Sequence, residues 1–115
     1  KIVIAYEPVW AISNGKDFVN HPTATPEDVE VAQRVIRHNI AELYGARTAE
    51  KVRILYGASV SADLVNAFLS IDGINGLLAG GASLNLHTFK PIIANASNVA
   101  KLRKSENQIA KGKQI

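Results

Sequence analysis

The sequence predicts an α/β protein with parallel strands, on three observations. Short apolar, β-prone runs stop abruptly at turn residues in Ile2–Tyr6, Val52–Tyr56 and Gly76–Ala79. Helical patterns follow the runs, so a strand-loop-helix order recurs three times, and such alternation implies right-handed crossovers between parallel neighbours. The 115 residues are 47% apolar, which suits one globular unit.

Ile2–Tyr6 is bounded by Pro8 and reads as a buried strand. Residues 7–25 carry Pro8, Asn14-Gly15, Asn20, Pro22 and Thr25-Pro26 and form a long loop, a length that is usually functional or disordered. Thr25-Pro26-Glu27-Asp28 starts a helix: a capping hydroxyl, a proline at the first position, and acids at the positive end of the dipole. Val31, Val35, Ile36, Ile40 and Leu43 predict its apolar face, and Tyr44-Gly45 its end. Val52–Tyr56 is the second strand. Ser61 caps a helix carrying Leu64, Val65 and Phe68-Leu69. Gly76–Ala79 is the third strand, stopped by Gly80-Gly81. A last helix begins near Asn85–Leu86, with Pro91 expected to kink it or mark its true start, and Ser97–Arg103 adds a further turn. Residues 1–104 form the structured unit and 105–115 a flexible basic tail.

Composition bounds the function. No apolar run reaches the 18 or so residues of a membrane span, and no signal-peptide pattern opens the chain. The absence of cysteine removes disulfides and thiolate metal sites and fits a cytoplasmic setting. The net charge of +3 is uneven: residues 101–115 hold +4, against −1 for the rest. A basic end on a near-neutral body is the pattern of a solvated terminus, so neither nucleic acid nor membrane is expected as a partner. The chain enters an apolar run directly at Lys1, and three strands leave sheet edges open, so a piece of something longer is expected.

Ligands of parallel α/β folds collect at the carboxyl ends of strands. Here those ends carry Glu7-Pro8, Gly57-Ala58-Ser59 and Gly80-Gly81-Ala82-Ser83. Small-residue turns let the backbone approach a ligand, and free N–H groups there favour an anion. Two such turns beside a carboxylate point to a phosphorylated substrate and an acid/base. Taken singly, each feature has a plainer reading: glycine pairs make turns, strand-end carboxylates face solvent, and Trp10 packs. What argues against the plain readings is that all three fall at corresponding places in successive units.

"AYEPVWAI" followed by "NGK", then "TATPED", "RILYGASV" and "LLAGGASL", closely resembles the C-terminal part of the triosephosphate isomerases, over about residues 1–96. The resemblance implies a partial (β/α)8 TIM barrel, of which this chain would hold the last three units, from about strand 6 to helix 8. It implies cofactor-free interconversion of dihydroxyacetone phosphate and D-glyceraldehyde 3-phosphate through an enediolate, with no metal. This family is itself a standard illustration of acid/base tuning and lid closure, so those roles are borrowed from the likeness. Glu7 matches the catalytic base. Ser13, Ser59, Gly80 and Gly81 match the phosphate-binding residues. Pro8, Val9 and Trp10 match the first hinge of the lid, with Trp10 as its packing anchor. Ala11, Ile12, Asn14, Gly15 and Lys16 match the lid itself, Ile12 being the tip with Leu78 opposite. Tyr56 and Ser59 match its latches. The complete enzyme is expected to be a homodimer.

The departures are specific. Ser13 and Asn14 replace the usual Gly and Thr. Asp17–Pro22 looks like an insertion before the second hinge. Ala58 replaces a Gly, and Gly73 and Asn75 stand where acids are common, which leaves an ion pair to Arg37 missing or shifted to Asp72. The family's lysine and neutral histidine lie on earlier strands that this chain lacks, and none of His21, His38 and His87 matches that histidine. The chain alone is therefore expected to be inactive. Two other readings stay open: a barrel for another sugar phosphate, and a non-catalytic fragment or assembly module that closes a barrel with another fragment or with itself, as bare apolar edges favour association.

Overall fold

The computed structural model describes residues 1–12 and 22–113. Three strands, β1 (Val3–Tyr6), β2 (Arg53–Tyr56) and β3 (Gly76–Leu77), form one parallel sheet in the order β1-β2-β3. Val3 pairs with Arg53 and Tyr6 with Tyr56, while Leu55 pairs with Gly76 and Tyr56 with Leu77. The helices are α1 (Pro26–Tyr44), α2 (Ala46–Lys51), α3 (Ala62–Leu69) and α4 (Leu86–Gly112). None of the described helices is long and apolar enough to cross a membrane.

The start of α1 is a capping box. The Asp28 amide donates to the Thr25 hydroxyl at 3.2 Å, and the Thr25 amide donates to the Asp28 carboxylate at 3.0 Å. At its other end the Gly45 amide donates to the Ala41 carbonyl, and the chain turns into α2, which the sequence did not predict. The buried face of α1 also differs from expectation. Val29 and Gln33 are buried and Ile36 packs on the core, whereas Val31, Val35 and Leu43 are exposed. The periodicity therefore marked a second apolar face, which no described element covers.

The helices lie on one face of the sheet. Ile54 and Tyr56 of β2 pack with Val29, Val65, Phe68, Ile92 and Val99, and the Tyr56 and Phe68 rings lie 4.4 Å apart. Alternation along each strand sends Val3, Ala5, Arg53 and Leu55 to the other face. Parallel sheets are normally covered on both faces; among the described residues this one is covered on one.

Two further expectations change. Ser61 occupies the cap position of α3, but its side chain makes no capping bond. Asn85 caps α4, which starts at Leu86 with Pro91 inside it and runs unbroken to Gly112, so the stretch expected as a flexible tail is helical through residue 112. Gln114 and Ile115 lie outside the described residues.

At the rim where the strands begin, two arginines hold the turn that feeds β3. Arg37 donates to the carbonyls of Ala49, Val52 and Gly73 and to Asn75 Oδ1. Arg103 donates to the carbonyls of Ile71 and Ile74, both at 3.0 Å. Arg37 thus uses carbonyls and an amide where the family resemblance had suggested an ion pair. Asn75 pairs with Ile54 in both directions: its amide donates to the Ile54 carbonyl, and its side-chain oxygen accepts from the Ile54 amide. Gly73 lies between them with φ +97°, and a Cβ there would overlap the Gln33 side-chain amide.

Gly73→Ala should therefore destabilise the chain by about 2 kcal/mol or more, since it combines a left-handed backbone with a steric overlap. Urea unfolding of variant and parent reads this as a lower midpoint at unchanged slope.

Candidate active site

Because the strands are parallel, all three carboxyl ends fall on one rim. The ladder continues one step past the strands: the Gly57 amide donates to the Tyr6 carbonyl at 2.9 Å, and the Leu78 amide to the Tyr56 carbonyl at 2.8 Å. Glu7, Gly57 and Leu78 are thus neighbours across the rim. A Cβ on Gly57 would lie 3.1 Å from Glu7 Cγ and 3.2 Å from Leu78 Cβ. The absent side chain at position 57 is what lets the glutamate and the leucine stand on either side of it. The residues alone had not assigned Gly57 this part; a glycine directly at a strand end was the signal.

After Glu7 the chain makes a tight 3₁₀ turn over Val9–Ala11, with the Ala11 amide donating to the Pro8 carbonyl. Pro8 and Ala11 are buried, while Val9 and Ile12 are exposed. Trp10 is 51% exposed, so the expected aromatic anchor is not the residue that fastens this turn. Ala11 fills that place. Its side chain is in the core, and its carbonyl accepts from both the amide (3.3 Å) and the hydroxyl (3.0 Å) of Ser59. Methyl-sized Ala11 fits beneath the turn, and an indole is left half in solvent.

Ser59 therefore ties the turn after β2 to the turn after β1. The amide that the family resemblance had assigned to phosphate is engaged with Ala11 in this conformation. Ser13, Asn14, Gly15 and Lys16, and the inserted stretch up to His21, lie outside the described residues. Gly80 and Gly81 are exposed on the same rim, at the start of a 3₁₀ turn over Gly81–Leu84, where the Ser83 amide and hydroxyl both donate to the Gly80 carbonyl. Leu78 is 48% exposed. His38 and His87 are exposed on α1 and α4, on elements that the rim does not include.

Tyr56 sits at the end of β2 on the helix-covered side, with its neighbours Gly57 and Glu7 on the rim. It is fully buried, and its hydroxyl has no hydrogen-bond partner among the described residues. Burial pushes its pKa up from 10 to about 12, with Tyr6 and Asp28 adding to the shift.

Against this geometry the comparisons are unambiguous. A sequence model of triosephosphate isomerase matches residues 1–96. The chain belongs to the triosephosphate isomerase family. It is 50% identical over 93 residues to the triosephosphate isomerase of Caldanaerobacter subterraneus subsp. tengcongensis, covering 81% of this chain and 35% of that protein. The enzyme of Thermus thermophilus is 47% identical over 92 residues, 80% of this chain and 34% of the relative. That of Geobacter metallireducens is 46% identical over 93 residues, 81% and 35%. The chain thus spans about a third of the length of the triosephosphate isomerases it matches. The match stops at residue 96, inside α4, so the helix from 97 to 112 and its Arg103 clamp lie beyond the shared region.

The buried tyrosine makes a pH signature. The folded chain keeps the Tyr56 proton up to about pH 12, while an unfolded tyrosine releases it near 10. The unfolded state then binds fewer protons, so stability is intact below pH 10 and falls as pH rises from 10 to 12. Thermal melts of parent and Tyr56→Phe across this range should diverge, the variant lacking this component of the fall. At neutral pH the variant should be at least as stable, because it removes a buried hydroxyl without a partner.

Proposed function

We propose that this chain is the base-bearing third of a triosephosphate isomerase, which interconverts dihydroxyacetone phosphate and D-glyceraldehyde 3-phosphate without a cofactor. The observation that carries this reading is the row Glu7–Gly57–Leu78 on the rim where the strands end. It puts a carboxylate beside two turns of small residues in a chain of this family.

In this reading Glu7 removes a proton from the substrate carbon beside the carbonyl and returns it to the neighbouring carbon, through an enediolate. A carboxylate serves both steps when water is kept from it. Ser13, Ser59, Gly80 and Gly81 hold the phosphate with backbone N–H groups. Ser59 exchanges its bonds to Ala11 for the phosphate as the lid from Pro8 to Lys16 closes. Trp10, Ile12 and Leu78, half-exposed here, cover the base in the closed state. Tyr56 supplies a hydroxyl for a latch.

The lysine and histidine that stabilise charge on the substrate oxygens come from the missing units. The three strands here are the last three of the barrel, the five preceding units complete the sheet, and the complete enzyme is a homodimer. The bare sheet face and the unpaired edges support this reading, since a barrel covers the one and pairs the other.

The chain alone should show no isomerase turnover. Joined behind the first two thirds of the Thermus thermophilus enzyme, it should regain turnover. Glu7→Gln in that chimera should lower kcat by roughly 10²–10⁴-fold, the range for losing a positioned base. Full activity of the glutamine variant would refute the assignment of Glu7.

A further inference from the structure

β3 and α4 close a ring. The chain climbs from Ile74 through β3 to the Gly80-Gly81 turn, and α4 descends from that turn to Arg103. Arg103 closes the ring by donating to the carbonyls of Ile71 and Ile74, both at 3.0 Å. From Ile74 to Gly80 the chain can span at most about 20 Å. From Leu86 to Arg103 the helix spans about 25 Å. The helix therefore overruns the strand before it reaches Arg103. Helical side chains lean toward their own N-terminus, which points this one back up to the two carbonyls. A guanidinium serves both at once, where an ammonium is a compact point charge.

The other polar ties of α4 lie elsewhere. The Thr88 hydroxyl donates to the Ala82 and Asn85 carbonyls, which joins the turn to the top of the helix. The Asn95 side-chain amide donates to the Ala62 carbonyl at 2.9 Å, which joins α4 to α3. Among the described residues, Arg103 is the hydrogen-bonded link between α4 and the segment that feeds β3. The glycine turn cannot hold its own place: a Cβ at Gly80 would meet nothing within 4 Å. Its place is set by the strand that enters it and the helix that leaves it.

We propose that Arg103 is a positioning residue for the Gly80-Gly81 turn. It lies beyond residue 96, where the family match ends. By fixing α4 along the axis of β3 it prevents the small sliding that packed helices otherwise undergo, and so fixes where the turn presents its backbone N–H groups. In the isomerase reading those groups hold the substrate phosphate. The clamp then sets affinity for the phosphorylated triose and leaves proton transfer at Glu7, after β1, unaltered. The effect on affinity rests on that reading; the hold on the turn does not.

Hydrogen exchange of the chain tests the hold. The Leu78 amide donates to the Tyr56 carbonyl inside the ring, and the Gly57 amide donates to the Tyr6 carbonyl outside it. Arg103→Gln should speed exchange at Leu78 about tenfold more than at Gly57, whereas a global loss of stability would speed both alike. Arg103→Lys should lie between variant and parent, and it carries the test if the glutamine variant does not fold. Lys104→Gln removes the same charge from an exposed neighbour and should change neither amide. Kinetics of the chimera with the Thermus thermophilus units test the effect on affinity. There Arg103→Gln should raise KM, and weaken inhibition by inorganic phosphate, about three- to thirtyfold with kcat little changed. Equal acceleration at the two amides overturns the proposal, and so does an equal effect of Lys104→Gln. Unchanged KM and phosphate inhibition in an active chimera overturn it as well. An inactive parent chimera counts against the isomerase reading instead, and the exchange result then decides the role of Arg103.

Discussion

The parallel register between β1 and β2 is the constraint on which the rest of the molecule depends. Pairing Tyr6 with Tyr56, and Tyr56 with Leu77, sends those three side chains toward the helices. The next residue of each run, Glu7, Gly57 and Leu78, is then forced to the opposite face, on one rim. A slip of one residue would bury the carboxylate under α1 and α3 and put the tyrosines outside. Packing makes that slip costly: Tyr56 is fully enclosed and stacked on Phe68, and Ile54 is enclosed one turn of the pleat earlier. The hydrophobic core thus aims the charged residue without touching it.

The two arginines act on the same register from the far rim. β3 has only two ladder residues and would hold its place weakly through sheet bonds alone. Asn75 lengthens the pairing by using its side chain as a substitute ladder partner for Ile54. Arg37 and Arg103, from the first and last long helices, collect the carbonyls on either side of it. Guanidinium groups suit this because several planar donors reach several carbonyls at once. The position of Leu78 and of the Gly80-Gly81 turn therefore rests on bonds made at the other end of the strand.

The capped start of α1 and the three strands were legible because each rests on local chemistry: a hydroxyl, a proline and an acid in sequence, or a β-prone run cut by proline or glycine. The face of α1 was misread because Val31 and Val35, four apart, make an apolar stripe of their own beside the one that holds Val29 and Ile36, and spacing does not say which of two apolar stripes meets the sheet. Buried Gln33 hid the true stripe, being polar by type. The helix from 105 to 112 was missed because its lysines read as a solvated end; a charged helix needs only its own backbone bonds. At the rim, Glu7 and the glycine turns were visible as residues that interrupt apolar runs. The hold of Ser59 on the Ala11 carbonyl was not, since it joins positions 48 apart in the chain.

The covered and uncovered surfaces of the chain bear together on the proposed barrel. Glu7 stands in solvent, and in the proposed role of base a carboxylate acts well only where fixed dipoles replace water. In this chain the groups that could exclude water are half-committed: Trp10, Leu78 and Ile12 are exposed to 51%, 48% and 41%. Beside β3 a groove of about 520 Å³ is lined by Leu77, Phe89, Ile92 and Ile93, apolar on nearly every side. It runs along β3 and reaches Leu78 at the rim. The missing apolar cover is therefore distributed over the sheet face, the β3 edge and the outer stripe of α1. A single added loop would meet only one of these. Strands that continue the sheet at both edges, with helices behind them, meet all three at once, and in doing so they put walls around the carboxylate.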